Sequence, residues 1–294
     1  MHVVLATDGS EEAEAAASLL IAGARRDTVT ITAFSVATLA DTAPGWPPDY
    51  LKDAVAEDLE RAERTSRTVA EHLAQNGFRS SSLVGTGHPG AQVLHELDRG
   101  TTDLVVMGYG RHRWLGTRLL GSTGSFLLQE APTSVLLAHR APASLERCRV
   151  LLATDGSAEA RVAASGLEGF LDPHRCSIKV VTASAMPPKW STAVDSGLTA
   201  PYVGPPLTPD ALEELLQTER ALSQAGFAAE TEMVFGPVKS SLLNAVRDGQ
   251  FDLAVVGSRG LGPIRRALMG SVSEALVNHA PATLVGRARL GPAG

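Results

Sequence analysis

The 294-residue chain has only two cysteines, Cys148 and Cys176, too few for a disulfide framework. Neither stands in a CxxC pair or beside a histidine partner, so both are expected to be small buried hydrophobes. No charged-then-apolar leader opens the chain at Met1. No apolar run reaches the ~20 residues that span a bilayer. The expectation is a soluble cytoplasmic protein with no membrane partner. Basic charge is in deficit: 26 Lys and Arg stand against 32 Asp and Glu, a formal net charge of −6. That balance argues against general binding to nucleic-acid phosphate, which needs a basic face. No GxxxxGK[ST] occurs, so the lysine by which a P-loop reaches the outer phosphates is missing. The eight histidines show no HExxH or paired spacing, and no protein-held metal is expected.

What is present is a repeat. Leu5-Ala6-Thr7-Asp8-Gly9-Ser10 recurs as Leu152-Ala153-Thr154-Asp155-Gly156-Ser157. Asp103-Leu104-Val105-Val106-Met107-Gly108 is echoed by Asp252-Leu253-Ala254-Val255-Val256-Gly257, and Ala131-Pro132 by Ala280-Pro281. The offset drifts only between 147 and 149 residues. Two homologous domains follow, 1–141 and 148–294, with the join around Arg140 to Ser144. Hydrophobic content of 44% and charged content of 20% suit packed cores rather than disorder.

Within each half, short β-branched runs alternate with helical patterns. His2 to Thr7 is apolar without alternation, as in a strand covered on both faces. Ser10 is placed to cap a helix with Glu11 and Glu12 in its first turn. Strands are expected over Thr28–Val36, Arg79–Val84, Asp103–Gly108 and Thr133–Ala138, and helices over Asp49–Asn76, Pro89–Arg99 and Ser122–Glu130. The second half repeats the order, with strands near Arg149–Thr154, Cys176–Thr182, Ala229–Phe235, Asp252–Gly257 and Ala282–Gly286. This alternation means parallel sheets with right-handed crossovers, an α/β fold. Ligands in such sheets bind at strand carboxyl ends, where Asp8, Gly108, Asp155 and Gly257 lie. Gly85-Thr86-Gly87-His88-Pro89-Gly90 fits GxGxxG but follows the third strand, not the first, and reads as a turn with Pro89 opening a helix.

Near Gly257 the parts suit an anion. Gly257 and Gly260 permit sharp turns and close approach. Gly270 and Ser271 open a helix whose N–H groups and dipole favour negative charge. Ser271 and Ser273 add hydroxyls, and Arg259, Arg265 and Arg266 keep the intervening loop basic.

Gly257-x-x-Gly260, nine residues, then Gly270-Ser271 resembles the ATP-binding signature of the universal stress protein family. The Asp-ended first strand, the Asp-Leu-led fourth strand and the Ala-Pro before the last strand extend the resemblance over both halves. It implies two tandem Rossmann-like domains of the adenine nucleotide alpha hydrolase type. Each would be a five-stranded parallel sheet of order 3-2-1-4-5 with helices on both faces. The ligand implied is ATP, with Mg²⁺ held by its phosphates. Asp155 would meet the adenosine end, with Ala183 beside adenine. Val256 and Gly257 would border base and ribose, while Gly260, Gly270, Ser271, Val272 and Ser273 hold the phosphates. In the first half Asp8, Val36, Met107, Gly108, Gly121 and Ser122 take these places. Gly108 and Gly121 keep the 13-residue separation of Gly257 and Gly270. Arg111 replaces the inner glycine there and Gly124 replaces Ser273, so the better site is expected in the second half.

The two halves are expected to pair through Thr133–Ala138 and Ala282–Gly286 as the family's homodimers do, with further pairing of whole chains open. The function implied is a nucleotide-dependent regulator in stress response. The rivals are a slow ATPase or phosphotransferase using the same pocket, and a nucleotide-free assembly protein.

Overall fold

The computed structural model describes residues 1–38, 48–110, 122–184, 209–257 and 270–287. Strands and helices alternate through both halves. The first contains β1 (His2–Ala6), α1 (Glu11–Gly23), β2 (Thr30–Ala37), α2 (Pro48–Gln75), β3 (Arg79–Thr86), α3 (Pro89–Asp98), β4 (Leu104–Gly108), α4 (Ser122–Glu130) and β5 (Ser134–Ala138). The second contains β6 (Cys148–Ala153), α5 (Ala158–Phe170), β7 (Cys176–Ser184), α6 (Pro209–Gln224), β8 (Ala228–Phe235), α7 (Val238–Asp248), β9 (Leu253–Gly257), α8 (Ser271–His279) and β10 (Ala282–Gly286).

All ten strands form one sheet, ordered β3-β2-β1-β4-β5-β10-β9-β6-β7-β8. Each half has the 3-2-1-4-5 order, and neighbours within a half run parallel. The halves meet at β5 and β10, which pair antiparallel with Ala138 opposite Ala282 and Val135 opposite Val285. Strand directions therefore reverse across the seam. The carboxyl ends of one half lie on the margin that carries the amino ends of the other.

The sheet is buried on both faces, which is why its central strands read as unbroken apolar runs. Val3, Val4 and Leu5 are fully buried, as are Val150, Leu151 and Leu152. Each face has one apolar core, and each core draws residues from both halves.

Local chemistry sets the element ends. Ser10 and Ser157 cap α1 and α5 by accepting from the N–H groups of Ala13 and Ala160. Asp103 and Asp252 tie neighbouring strands at their amino ends. Asp103 accepts from the His2 N–H at 2.8 Å, and its own N–H donates to the His2 carbonyl. Asp252 accepts from Arg149 N–H at 2.8 Å and from the linker's Ala143 N–H at 3.1 Å. The Asp-Leu motif is thus a staple across the sheet. The ladder carries β2 and β3 beyond their expected ends: Val36 pairs with Gly85 and Ala37 with Thr86. Gly85 therefore belongs to a strand, where a Cβ would stand 2.9 Å from the Phe34 ring. Gly87, at φ 116, makes the turn that follows, and Gly236, at φ 123, makes its counterpart.

The halves also meet at the carboxyl ends of α1 and α5. Arg25 N–H donates to the Phe170 carbonyl, and Asp172 N–H donates to that of Gly23. Beneath Gly23 lie Cys148 and Cys176, in-register neighbours on β6 and β7 and both buried. The Cys176 thiol donates to the Gly23 carbonyl at 3.4 Å. Its hydrogen bond with Cys148, together with burial, pushes the Cys148 thiol up from its ordinary pKa.

Candidate functional site

The Thr-Asp-Gly-Ser repeat builds the same strand-to-helix turn twice. After β1, Thr7 Oγ1 accepts from Gly9 N–H and Asp8 Oδ1 from Ser10 N–H, with Gly9 at φ 78. After β6, Thr154 and Asp155 make the same bonds to Gly156 and Ser157, with Gly156 at φ 75. One carboxylate oxygen of each Asp shapes the turn, leaving the other as an acceptor at the strand end. Both Asp8 and Asp155 are exposed.

In the first half the turn opens onto a cavity of about 350 Å³ at the carboxyl ends of β1, β2 and β4. Asp8, Val36, Met107 and Gly108 line it, four of the residues anticipated from sequence. Its walls differ in character: Phe34, Val36, Val93 and Met107 are apolar, whereas Asp8, Glu12, Thr38 and Thr123 are polar. The volume falls in the range of small-ligand sites, about 300–1,000 Å³. Ser122 opens α4 and is exposed, but the neighbouring Thr123 lines the cavity. Gly121 and Arg111 lie outside the described residues.

Gly108 has a second task. A Cβ there would stand 2.3 Å from the Ala13 nitrogen and 2.4 Å from the Glu12 carbonyl carbon. The close approach that this glycine allows is to the first turn of α1. Glu12 is thereby held on the cavity wall, and its Oε1 would be 3.3 Å from a Cβ at Gly110. Sequence reasoning missed Glu12, Phe34, Thr38 and Thr123. The signals were faint: Thr38 sits two residues beyond Val36, and Glu12 had been read only as a helix-start acid.

In the second half the strand ends bring Asp155, Ala183, Val256 and Gly257 to one margin. Gly270 is the N-cap of α8 at φ −63 and makes no side-chain cap, so glycine is not required there by backbone conformation. Ser271 is exposed and Val272 half-buried at the helix start. Ser273 turns inward: it is 4% exposed, and its hydroxyl donates to the Gly257 carbonyl at 3.3 Å. This hydroxyl, expected to face phosphate, ties α8 to β9. Gly260 and the three arginines Arg259, Arg265 and Arg266 lie outside the described residues.

The sequence profile of the universal stress protein family matches residues 1–139 and again 147–285. The chain belongs to the universal stress protein family. Among its relatives is a universal stress protein of Mycolicibacterium smegmatis, 28% identical over 95% of this chain and 94% of that protein. Another, universal stress protein Rv2623 of Mycobacterium tuberculosis, is 27% identical over 80% of this chain and 75% of its own length. A crystal structure of a universal stress protein from Archaeoglobus fulgidus superposes with a TM-score of 0.70, at 19% identity and covering 98% of each chain. The tandem arrangement of two family domains thus accounts for both the repeat and the ten-stranded sheet. No helix among the described residues is long and apolar enough to cross a membrane.

Proposed function

We propose that the strand-end pockets take an adenine nucleotide, ATP with Mg²⁺ held by its phosphates, and that the protein is a nucleotide-dependent regulator in stress response. The observation that carries this reading is the cavity at the carboxyl ends of β1, β2 and β4, lined by Asp8, Val36, Met107 and Gly108. Its apolar wall suits a purine ring. Its polar wall offers carboxylate and hydroxyl acceptors to a ribose, and Asp8 keeps one oxygen for that purpose. The second half repeats the Asp turn at Asp155 and the strand end at Val256-Gly257, and adds the intact glycine signature and the N-terminus of α8. The second half is therefore proposed as the tighter site.

Binding rather than turnover is the activity favoured. The carboxylates Asp8 and Asp155 lie at the strand end assigned to the nucleoside, away from where an outer phosphate would sit. Mass spectrometry of the intact protein under native conditions with Mg-ATP tests the reading directly. One or two nucleotides per chain are expected, with Asp155→Ala lowering occupancy more than Asp8→Ala. A chain that stays empty at millimolar Mg-ATP would overturn it. Single-turnover measurements with labelled ATP separate binder from enzyme. Release of ADP well above spontaneous hydrolysis, abolished by Gly260→Val, would make the protein an ATPase.

A further inference from the structure

The margin opposite the second half's nucleotide pocket carries a basic trough. Two cavities, of about 500 and about 640 Å³, adjoin at the amino ends of β6, β7, β8 and β9 and share Ala143, Gln250 and Asp252 as walls. Arg147, Arg149, His174 and Arg175 surround the first. Arg140 continues the positive lining into the second, with His279 beside it. This clustering occurs in a chain whose formal net charge is −6.

Asp252 is the one carboxylate among the lining residues. It is 8% exposed, and its two oxygens accept from the N–H groups of Ala143 and Arg149. It is a staple of the backbone rather than a counter-ion. Among the described residues, no carboxylate lies within ion-pair distance of Arg140, Arg147 or Arg149. The Arg149 guanidinium sits 5.3 Å from the centre of the Phe251 ring, which fixes its place without neutralising it. Arg175 is anchored by donating to the Ala22 and Ile21 carbonyls at the end of α1.

Gln250 is an independent sign. Among the described residues it is the one non-glycine with positive φ, at 50°. It follows the C-cap of α7, and the same place after α3 holds Gly100 at φ 79. Both N–H groups make the same bond, to the carbonyl three residues earlier. A side chain at this place is disfavoured against glycine. The first half avoids that cost. The second half accepts it and sets an amide on the wall shared by both cavities. Such strain is characteristically kept where a side chain has a ligand to meet.

We infer that this trough is a second ligand site, separate from the strand-end pockets, for a small anion bearing two or more phosphate groups. Its arginines supply the charge and forked donors that phosphate accepts, Gln250 supplies a neutral amide, and the concavity matches a small molecule more closely than an open protein interface.

Calorimetric titration of the full chain with inorganic tripolyphosphate tests the assignment. Wild-type protein is expected to bind, with affinity falling as salt rises. The doubly substituted R147E/R149E protein should bind at least about tenfold more weakly. Both side chains are exposed, so folding should survive, and a melting curve checks that it does. Gly260→Val, which alters the glycine signature of the proposed nucleotide pocket, should leave this binding unchanged. Gln250→Gly should melt higher, because strain is relieved, yet bind more weakly, whereas a merely tolerated Gln250 would leave affinity intact. Equal binding by wild type and R147E/R149E would overturn the inference. So would loss of binding in Gly260→Val, which would place the phosphate in the nucleotide pocket. Binding of an acidic peptide but not of tripolyphosphate would reassign the trough to a protein partner.

Discussion

His139 and Arg287 occupy corresponding positions, one residue beyond the last strand of each half, and each reaches the carbonyl end of the other half's last helix. His139 Nε2 lies 2.6 Å from the Val277 carbonyl in α8, and its Nδ1 lies 2.9 Å from that of Tyr109. The Arg287 guanidinium donates to the carbonyls of Leu128 and Ala131 at the end of α4. Tyr109 adds a bond from its hydroxyl to Asn278 at 3.2 Å. Each half thus completes a helix of its neighbour, and the Arg287 cation suits a helix carboxyl end. Removing Arg287 as Arg287→Ala leaves these carbonyls without their donor and should cost about 1–3 kcal/mol. Urea unfolding should show it as a lowered midpoint, and an unchanged midpoint would remove the cap from the seam's energetics.

Gly108→Ala should destabilise the first half by about 3 kcal/mol, because the added carbon meets α1 backbone that cannot swing aside. Gly286→Ala should behave alike, its Cβ falling 2.5 Å from that of Ala163. Thermal melts of the two variants check both. Gly100→Ala serves as a control for conformation without crowding, since open space surrounds it at φ 79, and should cost only about 1 kcal/mol.

Asp252→Ala leaves two backbone N–H groups without their acceptor and should cost about 3 kcal/mol. Asp252→Asn keeps one acceptor oxygen and should lose roughly half as much. Denaturant titration of the pair distinguishes a staple from a solvated surface acid, for which both losses would be near zero.

The Cys148 thiol, raised by its bond with Cys176 and by burial, gives stability a pH dependence. The fold favours the neutral thiol. Its contribution is full below the ordinary thiol pKa of 9.0 and is lost as pH rises from there toward the higher folded value. Urea midpoints should fall more steeply above that pH for wild type than for Cys148→Ala. Parallel curves would show that the thiol pair is titrating freely.

The repeat made the architecture legible. Apolar runs such as Val3 to Leu5 mark strands covered on both faces, and Ser10 and Ser157 mark helix starts, because these signals are local in the chain. The Asp turns were readable for the same reason, whereas the strand-end lining residues Val36 and Met107 came from the resemblance to the family. What escaped depends on neighbours distant in sequence. Gly108 reads as a ligand glycine until α1 is seen against it. Ser273 reads as a phosphate donor until its hydroxyl is found on Gly257. Gly85 reads as turn until the Phe34 ring fills the place of its side chain. His139 and Arg287 carry no local motif, and their partners are fixed only once β5 and β10 pair.

That antiparallel pairing of β5 with β10 lies within one polypeptide. The two domains are therefore joined at a fixed ratio, and dilution cannot part them as it parts separate subunits. An exchange of like halves would produce symmetric pairs and erase any difference between them. Here the domain with Arg111 is always joined to the domain with Gly260, so this difference in sequence is kept in every molecule. The reversal of strand direction also sends the strand carboxyl ends of the two halves to opposite margins of the sheet. What joins the halves is the β5–β10 ladder, the shared cores and the helix ends that His139 and Arg287 hold.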